Sequence, residues 1–182
     1  ESLEKYWTEV FPTLSGGEDW ERLEPVVAFD PDDPPTCNGT EVNTYRLFLC
    51  QPEHWIGYTS DLAEEAYSSH GDFGFATLLG SQYGLAVQQE LGDVPDDVVV
   101  MTLRGDCYTG SWAGAMVPDD EGQTAGDYEL VLSPGDLDEA VGVLLDIRSE
   151  SDRLRQGPAF DRVSAFRTGV IEGAEACRTL GA

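Results

Sequence analysis

The chain has 182 residues, of which 35 are acidic and 10 are basic, so its formal net charge at pH 7 is −25. A surface of this sign repels phosphate groups, which argues against DNA, RNA and anionic membranes as partners. With 41% hydrophobic and 10% aromatic residues the chain is expected to fold, and its length suits one domain over residues 1–182. No run approaches about eighteen continuous apolar residues, so no membrane-spanning helix is predicted.

The first third of the chain predicts one helix followed by a small sheet. Apolar residues at helical spacing indicate an amphipathic helix over residues 2–14. Three runs rich in aliphatic and aromatic residues, 26–29, 45–50 and 55–58, predict a sheet of about three strands. The prolines and aspartates of residues 30–35 favour a rigid acidic loop after the first strand.

The rest of the chain predicts helices, which makes the expected fold class α+β and predominantly helical. The predicted helices cover residues 61–69, 72–91 and 95 to about 117, followed by one that opens at residues 133–136 and one over 159–179. Gly92 is expected to end the second of these, and Pro95 with the two acidic residues after it is typical of a helix N-terminus.

Four cysteines, without any C-x-x-C pair, argue against zinc-ribbon and thioredoxin-type sites. Three pairings are open, and the one that keeps each bridge within its own neighbourhood joins Cys37 to Cys50 and Cys107 to Cys177. Two disulfides imply an exported protein, and four buried, reduced thiols in a cytosolic protein are the alternative. Because the chain begins at Glu1, we also expect that a leader, lipid-attachment segment or membrane anchor preceded it.

Metal sites are not predicted from the acidic and histidine residues alone. The acidic clusters at residues 18–19, 30–33 and 119–121 lack the spacing of a calcium-binding loop, so they are expected to be solvated. The two histidines, His54 and His70, lie in different predicted elements, so they do not indicate a shared metal ion.

Two successive predicted helices carry a specific order of residues. Residues 71–88 read Gly-Asp, an apolar run, then Ser-Gln-Tyr-Gly-Leu-Ala-Val-Gln, and residues 102–113 read Thr-Leu-Arg-Gly-Asp-Cys-Tyr-Thr-Gly-Ser-Trp-Ala. The first resembles the active-site helix of the neutral zinc metallopeptidases of bacteria, Gly-Asp, an apolar run, then His-Glu-x-Gly-His-x-Val-Gln. The second is similar to the Glu-x-x-Ala-Asp-Cys-x-x-Gly-x-Trp segment of that family. The resemblance runs from about residue 6 to 177, includes residues 133–140, 159–166 and the cysteines, and implies a zincin-like fold.

The chain departs from this family at every position that carries its chemistry. The resemblance places the two histidine ligands at Ser81 and Leu85, the general base at Gln82 and the glutamate ligand at Thr102. Leucine cannot coordinate zinc, and neutral hydroxyls are weak zinc ligands. Glutamine has no titratable carboxylate to accept a proton from water. We therefore expect no zinc, no other cofactor and no catalytic residue.

A replacement metal set built from Asp106, Asp72 and His70 is also not expected. The resemblance gives Asp106, one turn after Thr102, the place of an aspartate that orients a ligand histidine. His70 precedes Ser81 by 11 residues, which is about 16 Å along one helix.

These losses predict a pseudopeptidase, an exported bacterial protein that binds or regulates another envelope or secreted protein, or a peptide. The cleft that forms the active site in the zinc peptidases would here hold an extended peptide against the edge of the sheet. Ser81, Gln82, Tyr83 and Asp106 are expected to line it. Two alternatives stay open. One is an active hydrolase with a non-standard site, although no Ser-His-Asp arrangement supports it. The other is a structural envelope protein whose cleft is filled by Leu85 and Tyr83.

Overall fold

The computed structural model describes residues 1–146 and 156–181, which form an α+β fold dominated by helices, as predicted. Its helices are α1 (Ser2–Ser15), α2 (Ser60–Glu90), α3 (Val98–Met116), α4 (Pro134–Asp146), α5 (Ala159–Glu172) and α6 (Ala174–Cys177). Its strands are β1 (Val26–Phe29), β2 (Thr36–Cys37), β3 (Thr40–Glu41), β4 (Leu47–Cys50) and β5 (Trp55–Thr59). Within the described ranges, every helix is too short or too polar to cross a lipid bilayer.

The predicted three-stranded sheet is present, with the strand order β1-β5-β4. Strand β5 is central and pairs in parallel with β1 and antiparallel with β4, so β4 is an edge strand. The predicted rigid loop after β1 continues into a short β2–β3 hairpin that was not expected. Its turn is formed by Asn38 and Gly39, both at positive φ, and an Asn-Gly pair is the strongest short-range signal for such a turn.

Two glycines decide where the helices of the second half break. At Gly71 a φ of 80° and a ψ of −175° interrupt α2, so the two predicted helices exist but follow each other without a loop. At Gly173 a φ of 79° separates α5 from α6, so the prediction of one helix over residues 159–179 is wrong. The third helix begins at Val98 rather than near Pro95, because the Asp97 carboxylate accepts the Val99 N–H at 2.8 Å and caps it.

Helices α2, α3 and α5 pack together through small residues. A Cβ atom at Gly84 of α2 would overlap the carbonyl group of Gly105 in α3, and one at Gly110 would overlap the carbonyl group of Phe166 in α5. The backbones therefore approach more closely than larger side chains would allow. Helix α1 covers the other side of the core, where fully buried Trp7 meets Tyr108 edge to face at 5.7 Å between ring centroids.

Both predicted disulfides are present, and together they pair all four cysteines. The Cys37–Cys50 bridge joins the β2–β3 hairpin to β4, and the Cys107–Cys177 bridge joins α3 to α6. The break at Gly173 gives Cys177 its own short helix, through which it reaches Cys107. Disulfides of this kind persist in oxidising compartments, which fits the expected location outside the cytoplasm.

Candidate binding cleft

A cleft of about 550 Å³ opens between β4, the second half of α2 and the first turns of α3. Helix α2 contributes residues that recur every three or four positions and so share one face of the helix. They are Leu78, Ser81, Gln82, Leu85 and Gln89. Residues 44–49 line the side of β4, and Val98, Met101 and Thr102 line the side of α3.

Four of the six predicted site residues meet in this cleft. Ser81, Gln82 and Leu85 from α2 and Thr102 from α3 are all part of its lining. They come together because α2 and α3 are adjacent, in contact through the backbones of Gly84 and Gly105. The positions that the resemblance assigns to zinc ligands and base therefore face one common space.

These four residues do not fit a zinc ion. The Ser81 hydroxyl donates to the Leu78 carbonyl at 2.7 Å, and the Thr102 hydroxyl donates to the Val98 carbonyl at 3.0 Å. Both hydroxyls are thus bonded within their own helices, while the Gln82 Nε2 donates to the Ser81 Oγ at 3.2 Å. Leu85 offers no ligand atom at all, so no set of three strong ligands exists here.

Asp106, predicted to line the cleft, instead lies fully buried beneath it. Its carboxylate holds Arg162 of α5 in a two-point ion pair, with Nε to Oδ2 at 2.7 Å and Nη2 to Oδ1 at 2.8 Å. Arg162 is 3% exposed, yet it forms part of the cleft lining and also donates from Nη1 to Gln156 Oε1 at 3.1 Å. Arg162 was not predicted as a site residue, since residues 159–166 entered only as part of the resemblance.

Tyr83 does not line the cleft either. It is 4% exposed, and its ring stacks on Trp20 with 6.3 Å between centroids, within the core beneath α2. Burial, followed by the negative charge of Glu4, raises the pKa of the Tyr83 hydroxyl. The physical reason is helical periodicity, since Tyr83 and the cleft-lining Ser81 point to different sides of α2.

The cleft includes the outer edge of β4, with which none of the residues in 1–146 and 156–181 forms a ladder. The Arg46 carbonyl accepts the Thr59 N–H at 2.8 Å, so this pair is hydrogen-bonded across the β4–β5 ladder. Because bonded and non-bonded pairs alternate in an antiparallel ladder, the N–H and C=O groups of Leu47 and Leu49 point away from β5. Their side chains line the cleft as well. An unpaired edge of this kind can accept a further strand.

The rim of the cleft is partly apolar and carries both signs of charge. Tyr45 on one wall is 43% exposed and Val98 on the opposite wall is 39% exposed. Arg46 contacts the carboxylates of Asp61 and Glu65, each at 2.7 Å, which ties the start of β4 to the first turns of α2. The cleft therefore offers hydrophobic contact and backbone hydrogen bonds rather than a strong net charge.

A second, smaller pocket of about 220 Å³ adjoins the cleft and shares Leu49 and Gln89 with it. Four further polar residues line it, Glu21, Gln51, His54 and Glu90. Burial is the main cause that raises the pKa of Glu90 to about 7; the Glu21 N–H, at 3.2 Å, partly opposes this. No sequence signal identified this pocket, because its residues come from the loop after α1, the turn before β5 and the end of α2.

Elsewhere, three carboxylates that could hold a cation lie near the kink of α2. Ligand atoms of Asp72, Asp136 and Glu139 lie within 4.8 Å of one another, the one such group among the described residues. Glu139 accepts the Phe73 N–H at 3.0 Å, so this cluster already serves the backbone at a helix start. Asp106, Asp72 and His70 do not form such a group among the described residues, and both carboxylate oxygens of Asp106 are bonded to Arg162.

Comparison of the chain with protein-family models, with curated proteins and with solved structures finds no match. The likeness to zinc metallopeptidases thus depends on the motifs of α2 and α3 described above, and the zincin-like fold stays a prediction.

Proposed function

We propose that this protein is a pseudopeptidase of the zincin-like type that binds an extended peptide, or an extended segment of another exported protein, in the cleft beside β4. The observation that carries the proposal is the position of the cleft. It opens where Ser81, Gln82, Leu85 and Thr102 replace the family's ligands and base, and it remains about 550 Å³ in volume.

The chemistry of the lining supports binding without catalysis. The four positions that the resemblance assigns to ligands and base offer neither strong metal ligands nor a titratable base, because the hydroxyls of Ser81 and Thr102 donate within their own helices and the side chains of Leu85 and Gln82 do not ionise. The two histidines lie outside the cleft lining, His54 in the smaller pocket and His70 beside Asp146. A hydrolase with a non-standard site would need a base that reaches a bound substrate. The described carboxylates of the lining are Glu65, which contacts Arg46 at 2.7 Å, and Asp146, which lies 3.6 Å from His70, so this alternative would depend on one of these two residues.

The outer edge of β4, unpaired within the described part of the chain, supports an extended peptide as the ligand. Leu47 and Leu49 present up to two N–H and two C=O groups for a strand that adds to the sheet. Alternate side chains of such a strand would point into the cleft, between β4 and α2. A volume of about 550 Å³ lies within the usual range for ligand pockets, about 300–1,000 Å³. A structural protein with a filled cleft would lack this space.

A peptide selected from a random display library tests the proposal. We expect Leu85→Trp, which fills the cleft, to weaken binding about tenfold or more, because it removes the space for inserted side chains. Tyr67→Trp is the matched control, since Tyr67 is a 65% exposed residue of the same helix. Hydrogen exchange should slow at the amides of Leu47 and Leu49 when the peptide binds.

Three results would contradict the proposal. One is a selected peptide that binds Leu85→Trp as tightly as the parent chain. Another is one zinc ion per purified chain together with chelator-sensitive cleavage of a generic protein substrate. The third is turnover that disappears when His54 or His70 is replaced by alanine, which would favour the hydrolase alternative.

A further inference from the structure

We propose that the smaller pocket at the Gln51 end of β4 is a subsite for a cationic side chain, lysine or arginine, of the bound peptide. This inference rests on the proposed function, because it identifies the chemistry of one residue of the ligand. The pocket is continuous with the cleft through Leu49 and Gln89, so a strand that runs along β4 reaches it.

The pocket has an apolar wall and an acceptor-rich wall. Leu23, Leu49 and Ala86 form the apolar part, which suits the methylene stem of a long side chain. On the polar part, the Oε1 atoms of Gln89 and Glu90 are buried and accept no hydrogen bond from any described residue. Buried acceptors without donors are costly, so a ligand that donates several hydrogen bonds is favoured there.

The charges around the pocket favour a positive ligand over a neutral or negative one. The Glu90 carboxylate accepts the Glu21 N–H, and the carboxylates of Glu21 and Glu4 both contribute negative potential to it. Arg22 follows Glu21, but its guanidinium contacts Glu4 and Glu24 instead. A chain with a net charge of −25 also attracts cationic peptides over long range.

An organic cation fits this geometry better than a metal ion. His54 Nε2 lies 3.6 Å from Glu21 Oε2, yet Glu21, His54 and Glu90 do not bring three ligand atoms within 4.8 Å of one another. A metal ion needs such convergence, with ligands about 2.0–2.6 Å from the ion. An ammonium or guanidinium group at the end of a flexible stem can instead reach acceptors that lie further apart.

The probes are N-acetyl-lysine N-methylamide and its arginine analogue, with N-acetyl-norleucine N-methylamide as the uncharged comparison. In titrations of the ¹⁵N-labelled protein at pH 8, we expect both cations to bind about tenfold more tightly than the norleucine compound. The shifted amide resonances should be those of Gln51, His54, Gln89 and Glu90. The variant Glu21→Gln/Glu90→Gln should lose the preference, whereas Glu18→Gln/Asp19→Asn, an equal charge change at exposed residues of the same loop, should keep it.

The pH dependence provides an independent readout. With the Glu90 pKa near 7, the fraction of ionised carboxylate rises about tenfold between pH 6 and pH 8, and the affinity for the lysine probe should rise with it. Glu90→Gln should remove this dependence, and an undiminished pH dependence in this variant would contradict the role of Glu90; the other titratable residues that line the pocket are Glu21 and His54.

Equal affinity for the cationic and norleucine probes, or an undiminished preference in the double glutamine variant, would overturn the subsite. Saturable binding of Mg²⁺ or Ca²⁺ that displaces the lysine probe would overturn it in favour of a metal site. Because the probes are too short to pair with Leu47 and Leu49, these results are independent of whether β4 accepts a strand.

Discussion

Introducing zinc ligands at three positions tests whether the cleft has the geometry of the family that the sequence resembles. The variant Ser81→His/Leu85→His/Thr102→Glu places two imidazoles one helical turn apart, about 6 Å along α2, and a carboxylate on α3. All three positions line the same cleft, so we expect the variant to bind zinc. The parent chain, whose hydroxyls at residues 81 and 102 are bonded internally, should not.

The gain in stability on zinc binding depends on the affinity of the triple variant for zinc. Zinc present at about a thousand times its Kd stabilises the folded variant by about 4 kcal/mol, which raises Tm by about 8–16 °C for a chain of this size. The Kd itself should be about 10–100-fold weaker than in a complete site. The reason is that Asp106, which the resemblance assigns to orienting a histidine, has both carboxylate oxygens bonded to Arg162.

Thermal unfolding with and without zinc, together with elemental analysis after gel filtration, measures this gain. Ser81→His/Leu85→His/Thr102→Gln is the control, because it keeps the histidines but lacks the third strong ligand. A folded triple variant that holds no zinc and shows no change in Tm would refute the reasoning, since it would mean that the three side chains do not converge.

Three further predictions concern the buried charges and the disulfides. Asp106→Asn should lower the free energy of unfolding, measured in urea, by about 3–5 kcal/mol, because it leaves the charge of Arg162 buried without its partner. The double variant Asp106→Leu/Arg162→Met, which removes both charges, should recover most of this loss. A loss below about 1 kcal/mol in Asp106→Asn would contradict the prediction. Burial raises the pKa of Glu90 from 4.5 to about 7, so the folded state binds the Glu90 proton more tightly than the unfolded state does. The free energy of unfolding should therefore fall as pH rises from 4.5 to about 7. Urea unfolding of Glu90→Gln, measured at the same pH values, should not show this fall. Replacing both cysteines of the Cys107–Cys177 bridge by alanine should lower the free energy of unfolding by about 4 kcal/mol, because this bridge closes a loop with a sequence separation of 70. The same replacement of Cys37 and Cys50, with a separation of 13, should lower it by about 3 kcal/mol. A larger loss for the shorter loop would argue against the loop-entropy explanation.

Local sequence signals predicted the elements and the covalent links of this protein well. The spacing of apolar residues predicted α1, the strands of the three-stranded sheet and most of the helices. The pairing that keeps each bridge within its own part of the chain predicted both disulfides. The β2–β3 hairpin was missed although Asn38 and Gly39 provide a known turn signal. The break at Gly173 was missed because a single glycine within an apolar pattern does not reveal a positive φ.

The candidate site was predictable only where it depends on helix periodicity. Ser81, Gln82 and Leu85 share a face of α2 because of their spacing, and the motif order added Thr102. The partner of Asp106 was not predictable, because Arg162 lies 56 residues away and nothing local couples the two. The prediction that Tyr83 lines the cleft was wrong. Tyr83 is adjacent to Gln82 in the sequence, but successive residues of a helix point in different directions, so Tyr83 packs in the core.

The sequence by itself determined the side-chain chemistry of the four positions: Leu85 offers no ligand atom, Gln82 has no titratable carboxylate, and the hydroxyls of Ser81 and Thr102 are weak zinc ligands in any fold. Only the tertiary structure decided that these four positions lie in a cleft, beside an edge of β4 that no described residue pairs with, and that Arg162 binds the buried Asp106. The physical reason is that side-chain chemistry is fixed residue by residue. A cavity and an unpaired strand edge, in contrast, arise only when distant segments pack against one another.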